Sequence, residues 1–230
     1  MTETFDIHTR LPAALSHRGE AWRFVADFAA HWQQPLRPGD GFAVADIEAA
    51  ERRLGLDLPA ALRETYLLLG RRTDLTSNHD TLLEPDELHV FDGALVYRTE
   101  NQGAASWGIL LAELGDGDPG TVVRADLADK SQERWEAWES SLMTACVEMV
   151  MSETVLFSGG FTDFLEEGAE ETQLDGLFPE LPRVGRDMRW FADADVLIRE
   201  LDGFCLHARV RTEEGLEQLR EAVPGDWLEG

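Results

Sequence analysis

The residue types best suited to chemistry are few and scattered. The six histidines are His8, His17, His31, His79, His89 and His207. No two stand four residues apart, the spacing by which a helix presents paired zinc ligands. The sequence holds neither a Gly-x-Ser-x-Gly elbow nor a phosphate loop ending in Gly-Lys-Ser/Thr. Cys146 and Cys205 are far apart and set in apolar surroundings. They offer no disulfide framework and no ligand spacing, so they read as small buried apolar residues in a reducing compartment. Asp116-Gly117-Asp118 invites a calcium reading. A calcium loop opening at Asp116 would need its closing glutamate where Leu127 stands, and one opening at Asp118 would end on Asp129 and lack the central glycine. The segment reads as a plain turn. Asp and Glu number 45, so paired carboxylates are common by number alone. A catalytic pair needs a cleft that drives two pKa values apart, which no spacing here identifies. The expectation is a non-enzyme with no catalytic residue, no metal and no cofactor.

The elements that must position these residues follow from periodicity. Trp22, Val25, Phe28, Ala29 and Trp32 lie at three-to-four spacing, which predicts a helix over 20–33 after an extended lead-in over 1–17. Val44, Ile47, Ala50 and Leu54 predict a second helix stopped by Gly55. Pro59 suits the first turn of a third, which carries Leu62, Tyr66 and Leu69 and ends at Gly70. Strands are expected over 95–99, 107–111 and 121–124. An apolar helix follows over 138–151, and a Gly159-Gly160 break precedes a further helix carrying Phe161, Phe164 and Leu165. Near the C-terminus, Asp202-Gly203 between two apolar runs is a strong hairpin signal, and Thr212 caps a last helix reaching Ala222. Helices at both ends of a mostly antiparallel sheet make the fold class α+β.

The chain of 230 residues is long enough for one sizeable core, and 43% of it is hydrophobic, as in ordinary globular domains. No apolar run is long enough to span a bilayer and no signal segment opens the sequence, so a cytoplasmic location is expected. Lys130 is the single lysine among 20 basic residues. That skew fits a GC-rich, bacterial genome. The net charge of −25 repels nucleic-acid phosphates and anionic lipid, and favours basic partners.

The run from Ile47 to Arg63 contains Leu54-Gly55-Leu56-Asp57-Leu58-Pro59, and Tyr66 to Gly70 closes the helix after it. Further on come Leu83-x-Pro85-x-Glu87-Leu88, Glu100-Asn101-Gln102-Gly103, Trp107-Gly108, and Asp118-Pro119 before Val122-Val123. In order and spacing these resemble the SUKH superfamily. The resemblance covers about residues 42–165 well, with a helical extension over 18–34 and a C-terminal hairpin plus helix over 188–223. It implies a single α+β domain over 1–230, with one twisted, mostly antiparallel sheet flanked by helices. It also implies protein binding. Many bacterial members are similar to immunity proteins that neutralise toxin domains, often nucleases or deaminases, while fungal relatives regulate cell-wall signalling through protein contacts. An immunity protein acting on a basic toxin is the leading expectation. A regulatory scaffold of the same fold and an enzyme with an unrecognised cleft stand as alternatives. Candidate partner contacts are Glu100, Asn101, Gln102 and Trp107, together with the carboxylates Asp116, Asp118, Glu166, Glu167, Glu170 and Glu171.

Overall fold

The computed structural model describes residues 5–165, 174–201, 203 and 205–229. The helices of eight or more residues are α1 (Ile7–Ala14), α2 (Arg18–Trp32), α3 (Val44–Leu54) and α4 (Ala60–Leu69), then α6 (Leu142–Val155) and α7 (Glu213–Ala222), with the short α5 (Thr73–Thr76) between. The strands are β1 (Thr81–Leu82), β2 (His89–Phe91), β3 (Ala94–Thr99), β4 (Ala105–Leu110), β5 (Val122–Ala125) and β6 (Glu136–Ala137), then β7 (Phe161–Leu165), β8 (Met188–Asp193), β9 (Val196–Leu201), β10 (Cys205–Val210) and β11 (Trp227–Glu229). The fold class is α+β. The strands form two antiparallel sheets where the resemblance implied one. The first has the order β1-β3-β4-β5-β6 with β2 also on β3, and the second runs β11-β7-β10-β9-β8.

Three segments differ from the sequence expectation. The lead-in is helical at α1. Asp6 caps it by accepting from the amide of His8, and Ile7, Leu11 and Ala14 are buried at four- and three-residue spacing. Phe161 to Leu165 is a strand rather than a helix. Its apolar residues fit either period. Pairing with Leu206–Val210 decides the matter, placing Leu165 in the core and Phe164 in a stack on His207 at 4.8 Å. The apolar helix also starts later than expected, at Leu142, because Asp118 Oδ1 accepts from Met143 N at 2.8 Å and Ser141 Oγ from Thr144 N at 3.1 Å. These acceptors take amides that the first helical turn leaves without partners.

The chain divides into two compact units, a central one of Leu36–Met149 and a split one made of Met1–Pro35 with Val150–Gly230. In the central unit, Tyr66 is fully buried and its hydroxyl donates to Leu83 O at 2.7 Å. Thr65 Oγ1 lies 3.1 Å from Cys146 Sγ, and burial pushes the Cys146 thiol up to about 12. Both cysteines are free and buried, as expected. In the split unit, Leu165, Phe191, Ile198, Leu206, Val210 and Leu219 form one apolar cluster under α7. Each such side chain contributes about 1.5–3 kcal/mol when fully buried. Thr212 caps α7 by accepting from Gly215 N at 3.1 Å. No helix among the described residues is long and apolar enough to cross a membrane.

Candidate functional site

The central unit holds two groupings of interest. The first is built around Arg98 on β3. The β3–β4 register shifts between Val96 and Arg98, a local irregularity that re-aims side chains. Arg98 is only 2% exposed. It donates to Glu148 on α6 at 2.9 Å and to Asp80 at 3.2 Å, and lies 4.7 Å over the ring of Trp107. Taking a guanidinium out of water is costly, and the two carboxylates and the indole face offset that cost. Trp107 also meets Trp138 edge-on at 6.0 Å.

The turn Glu100 to Ala104 sits beside this cluster. Glu100 Oε2 accepts from the amides of Gln102 and Ala104, each at 2.8 Å, which ties the turn to its own first residue. Asn101 Nδ2 lies 3.3 Å from His79 Nδ1. One ligand atom each from His79, Asp80 and Glu100 can be found within 4.8 Å of one another. An imidazole and two carboxylates suit a divalent cation by type. Arg98 against Asp80 opposes a second positive charge there. The carboxylates around Arg98 serve as acceptors for a guanidinium and for backbone amides, so the arrangement holds the turn in place.

The sequence candidates are therefore only partly brought together. Glu100, Asn101 and Gln102 share the β3–β4 turn, with Asn101 and Gln102 exposed. Trp107 is 7% exposed and packs beneath Arg98 instead of facing solvent. Asp116 and Asp118 follow the far end of β4, which at about 3.3 Å per residue separates them from Glu100 by roughly 20 Å. Asp116 Oδ1 accepts from Asp118 N at 3.0 Å, and Asp118 in turn holds the start of α6, so this pair shapes a turn, as the sequence reading expected. Glu166, Glu167, Glu170 and Glu171 lie outside the described residues.

The second grouping is the β2 edge, which the sequence reading passed over. All three β2 side chains are exposed, with Val90 at 44% and Phe91 at 49%. Its turn into β3 is Asp92-Gly93, with φ of 44° and 78°. Both residues are left-handed, as a tight two-residue hairpin requires. Trp135 Nε1 donates to Asp92 O at 3.0 Å and steadies the turn. Arg124 lies 5.0 Å over the Phe91 ring and pairs with both Asp92 and Glu133. Glu133 also accepts from Lys130 at 2.8 Å and from Leu127 N at 3.0 Å. Lys130 first, then that amide and Arg124, lower the Glu133 carboxyl to about 2. Asp86 and Glu87 shortly precede β2 in the chain and are exposed, as is Asp126, which pairs with Lys130. The Asp-Gly pair was the available signal. It was missed because the apolar run before it, Val90-Phe91, is so short.

No family model, no curated protein and no solved structure matches this chain.

Proposed function

We propose that the chain is a non-enzymatic protein-binding module of SUKH type, acting as an immunity protein that neutralises a basic, nuclease- or deaminase-type toxin in a bacterial cytoplasm. The observation that carries this reading is the β2 edge. An edge strand offers unpaired backbone groups to a partner strand, and natural proteins usually blunt such edges. Here the edge is only three residues long and has charged neighbours, yet it presents Val90 and Phe91 to solvent beside the exposed Asp86, Glu87 and Asp92. The cations nearby are already engaged by the chain's own acids, as Arg124 is by Asp92 and Glu133, and Lys130 by Asp126 and Glu133. With the chain at −25, the charge left to meet a partner is negative. A nucleic-acid-processing toxin must present lysine and arginine to phosphates, and an acidic inhibitor gains a fast, steered approach to that surface.

The test is affinity capture from the source lysate at low and at high salt, followed by measurement of the captured protein's own activity. The reading expects a protein rich in Lys and Arg, released by salt and inhibited when bound. It also expects Phe91→Glu to abolish capture without loss of folding. Capture of a neutral or acidic protein, insensitive to salt, would point to a scaffold and away from an immunity role.

A further inference from the structure

In the split unit, a pocket of about 240 Å³ is lined by His31, Trp32, Gly160, Phe161, Arg209, Val210 and Arg211. Acids outnumber Lys and Arg by 45 to 20 in this chain, yet no carboxylate among the described residues lines this pocket. The polar side chains that line it, His31, Trp32, Arg209 and Arg211, all carry N–H groups. Trp32 is 6% exposed, and its indole Nε1–H, buried from water, finds no acceptor among the described residues. Leaving such a donor unmatched costs about 1–3 kcal/mol, so an acceptor brought by a ligand is rewarded. Arg211 gives Nη1 to Asp195 at 2.9 Å, which leaves the rest of its fork available, and its side chain is half-exposed at the mouth. Arg209 is held in the wall by Trp32 O at 2.9 Å and Thr154 O at 2.8 Å. A Cβ at Gly160 would fall 2.9 Å from Arg209 Nη2, so glycine keeps that side of the pocket open. A second pocket of about 260 Å³, which shares His31 and Trp32, carries Asp6, Asp193 and His8 instead.

We propose that the donor-lined pocket binds a small molecule through an oxyanion, the shared chemistry of a carboxylate or a phosphate group, with Trp32 and Arg211 as its donors. Two or more donors converging on one anionic oxygen group is the pattern by which proteins recognise such ligands. His31 reports on the site. Its Nε2–H donates to Ala194 O at 2.9 Å, leaving Nδ1 to take up a proton. Burial first, and then the Arg211 charge, hold its pKa below the ordinary value, while Asp195 acts in the opposite sense. Asp6 and His8 on the α1 side and Asp193 on β8 face it across the second pocket. A bound anion favours protonated His31, so binding tightens as pH falls through the His31 pKa.

The experiment titrates the full chain with inorganic phosphate and, separately, with acetate at constant ionic strength. It follows the Trp32 indole amide, assigned by its loss in Trp32→Phe, and the His31 ring by NMR. The expected result is a saturable shift of the Trp32 signal with one or both anions, a rise in the His31 pKa, and at least about tenfold weaker binding in Arg211→Gln. Saturation by phosphate alone or acetate alone assigns the ligand class. Arg186→Gln removes an exposed guanidinium outside this pocket and is expected to bind as the wild type does. No shift of Trp32 with either anion, or equal weakening in Arg186→Gln and Arg211→Gln, would overturn the proposal.

Discussion

The two units each bury an arginine on a sheet, and they satisfy it in different ways. Arg98 in the central unit stacks over Trp107 and donates to the carboxylates of Asp80 and Glu148. Arg209 in the split unit stacks over Phe157 at 5.3 Å and donates to Thr154 O and Trp32 O. Those two carbonyls lie in the last turns of α6 and α2. The last carbonyls of a helix have no partner within it and carry the negative end of its dipole. One arginine thus meets two carboxylates, while the other has the ends of two helices and the Gln33 side-chain oxygen among its partners. The first arrangement joins β3 to α6 through side chains. The second fixes where two helices stop.

The largest expected effect comes from breaking the ionised arrangement. Arg98→Met removes the guanidinium from Glu148, which is 1% exposed. Stranding a buried charge typically costs about 3–5 kcal/mol. Urea denaturation is expected to show a loss of that order. The double variant Arg98→Met with Glu148→Leu is expected to recover the part owed to Glu148, because an apolar pair replaces that ion pair at little cost, while Asp80, also paired with Arg98, still loses its guanidinium. A double variant no better than the single one would mean that the pair does not act as a unit.

Arg209→Lys comes next. Lysine keeps the charge and loses the fork that reaches two helix ends at once. The expected loss is about 2 kcal/mol, from one or two charge-assisted hydrogen bonds. Amide hydrogen exchange in the last turns of α2 and α6 is expected to rise more than exchange in β9. A uniform rise along the split unit would indicate a packing defect instead.

How much of this was legible in the sequence depends on whether the signal is local. The α3 boundaries, Val44–Leu54, agree with the periodicity because apolar positions and a terminal Gly55 lie within one window. The hairpin expected at Asp202-Gly203 follows from its flanking apolar runs; β9 pairs with β10 from Leu201–Cys205 onward and Gly203 has φ of 73°, while Asp202 and Phe204 lie outside the described residues. Asp92-Gly93 carries the same chemistry and was passed over because β2 is three residues long. Glu100, Asn101 and Gln102 were placed at a strand end, and they are there. Their neighbour Arg98 was not singled out. An arginine within an alternating strand reads as a solvent-facing residue, and its partner Glu148 is fifty residues away. Trp32 and Arg211 lie farther apart still, on α2 and just after β10, so no window of sequence contains their pocket.

The ionised region also predicts a pH response. Glu133 is held at about 2 by Lys130, Leu127 N and Arg124. A carboxyl whose folded pKa is depressed contributes stability above its ordinary range near 4.5 and loses it as pH falls toward 2. In Lys130→Met the Glu133 midpoint, followed by carboxyl NMR, is expected to rise toward 4.5 without reaching it, since the Leu127 amide and Arg124 remain. An unmoved midpoint would remove Lys130 from the network.

The smallest effect tests whether the β2 turn is fixed by conformation or by charge. Asp92 adopts φ of 44°, a conformation that costs a non-glycine residue about 1 kcal/mol. Asp92→Gly relieves that cost and loses an ion pair with Arg124, in which Asp92 is 61% exposed. A pair so exposed contributes about 0–1 kcal/mol. The two terms nearly cancel, and the expected change in stability is within about 0.5 kcal/mol of zero. Asp92→Ala removes the same carboxylate and keeps the strain, so it is expected to be the less stable of the two by about 1 kcal/mol. Equal stabilities would mean that conformation does not matter at this turn. The ordering Gly above Ala, at nearly wild-type stability, would show that the edge strand is held out to solvent by its backbone, with the Asp92–Arg124 pair contributing little.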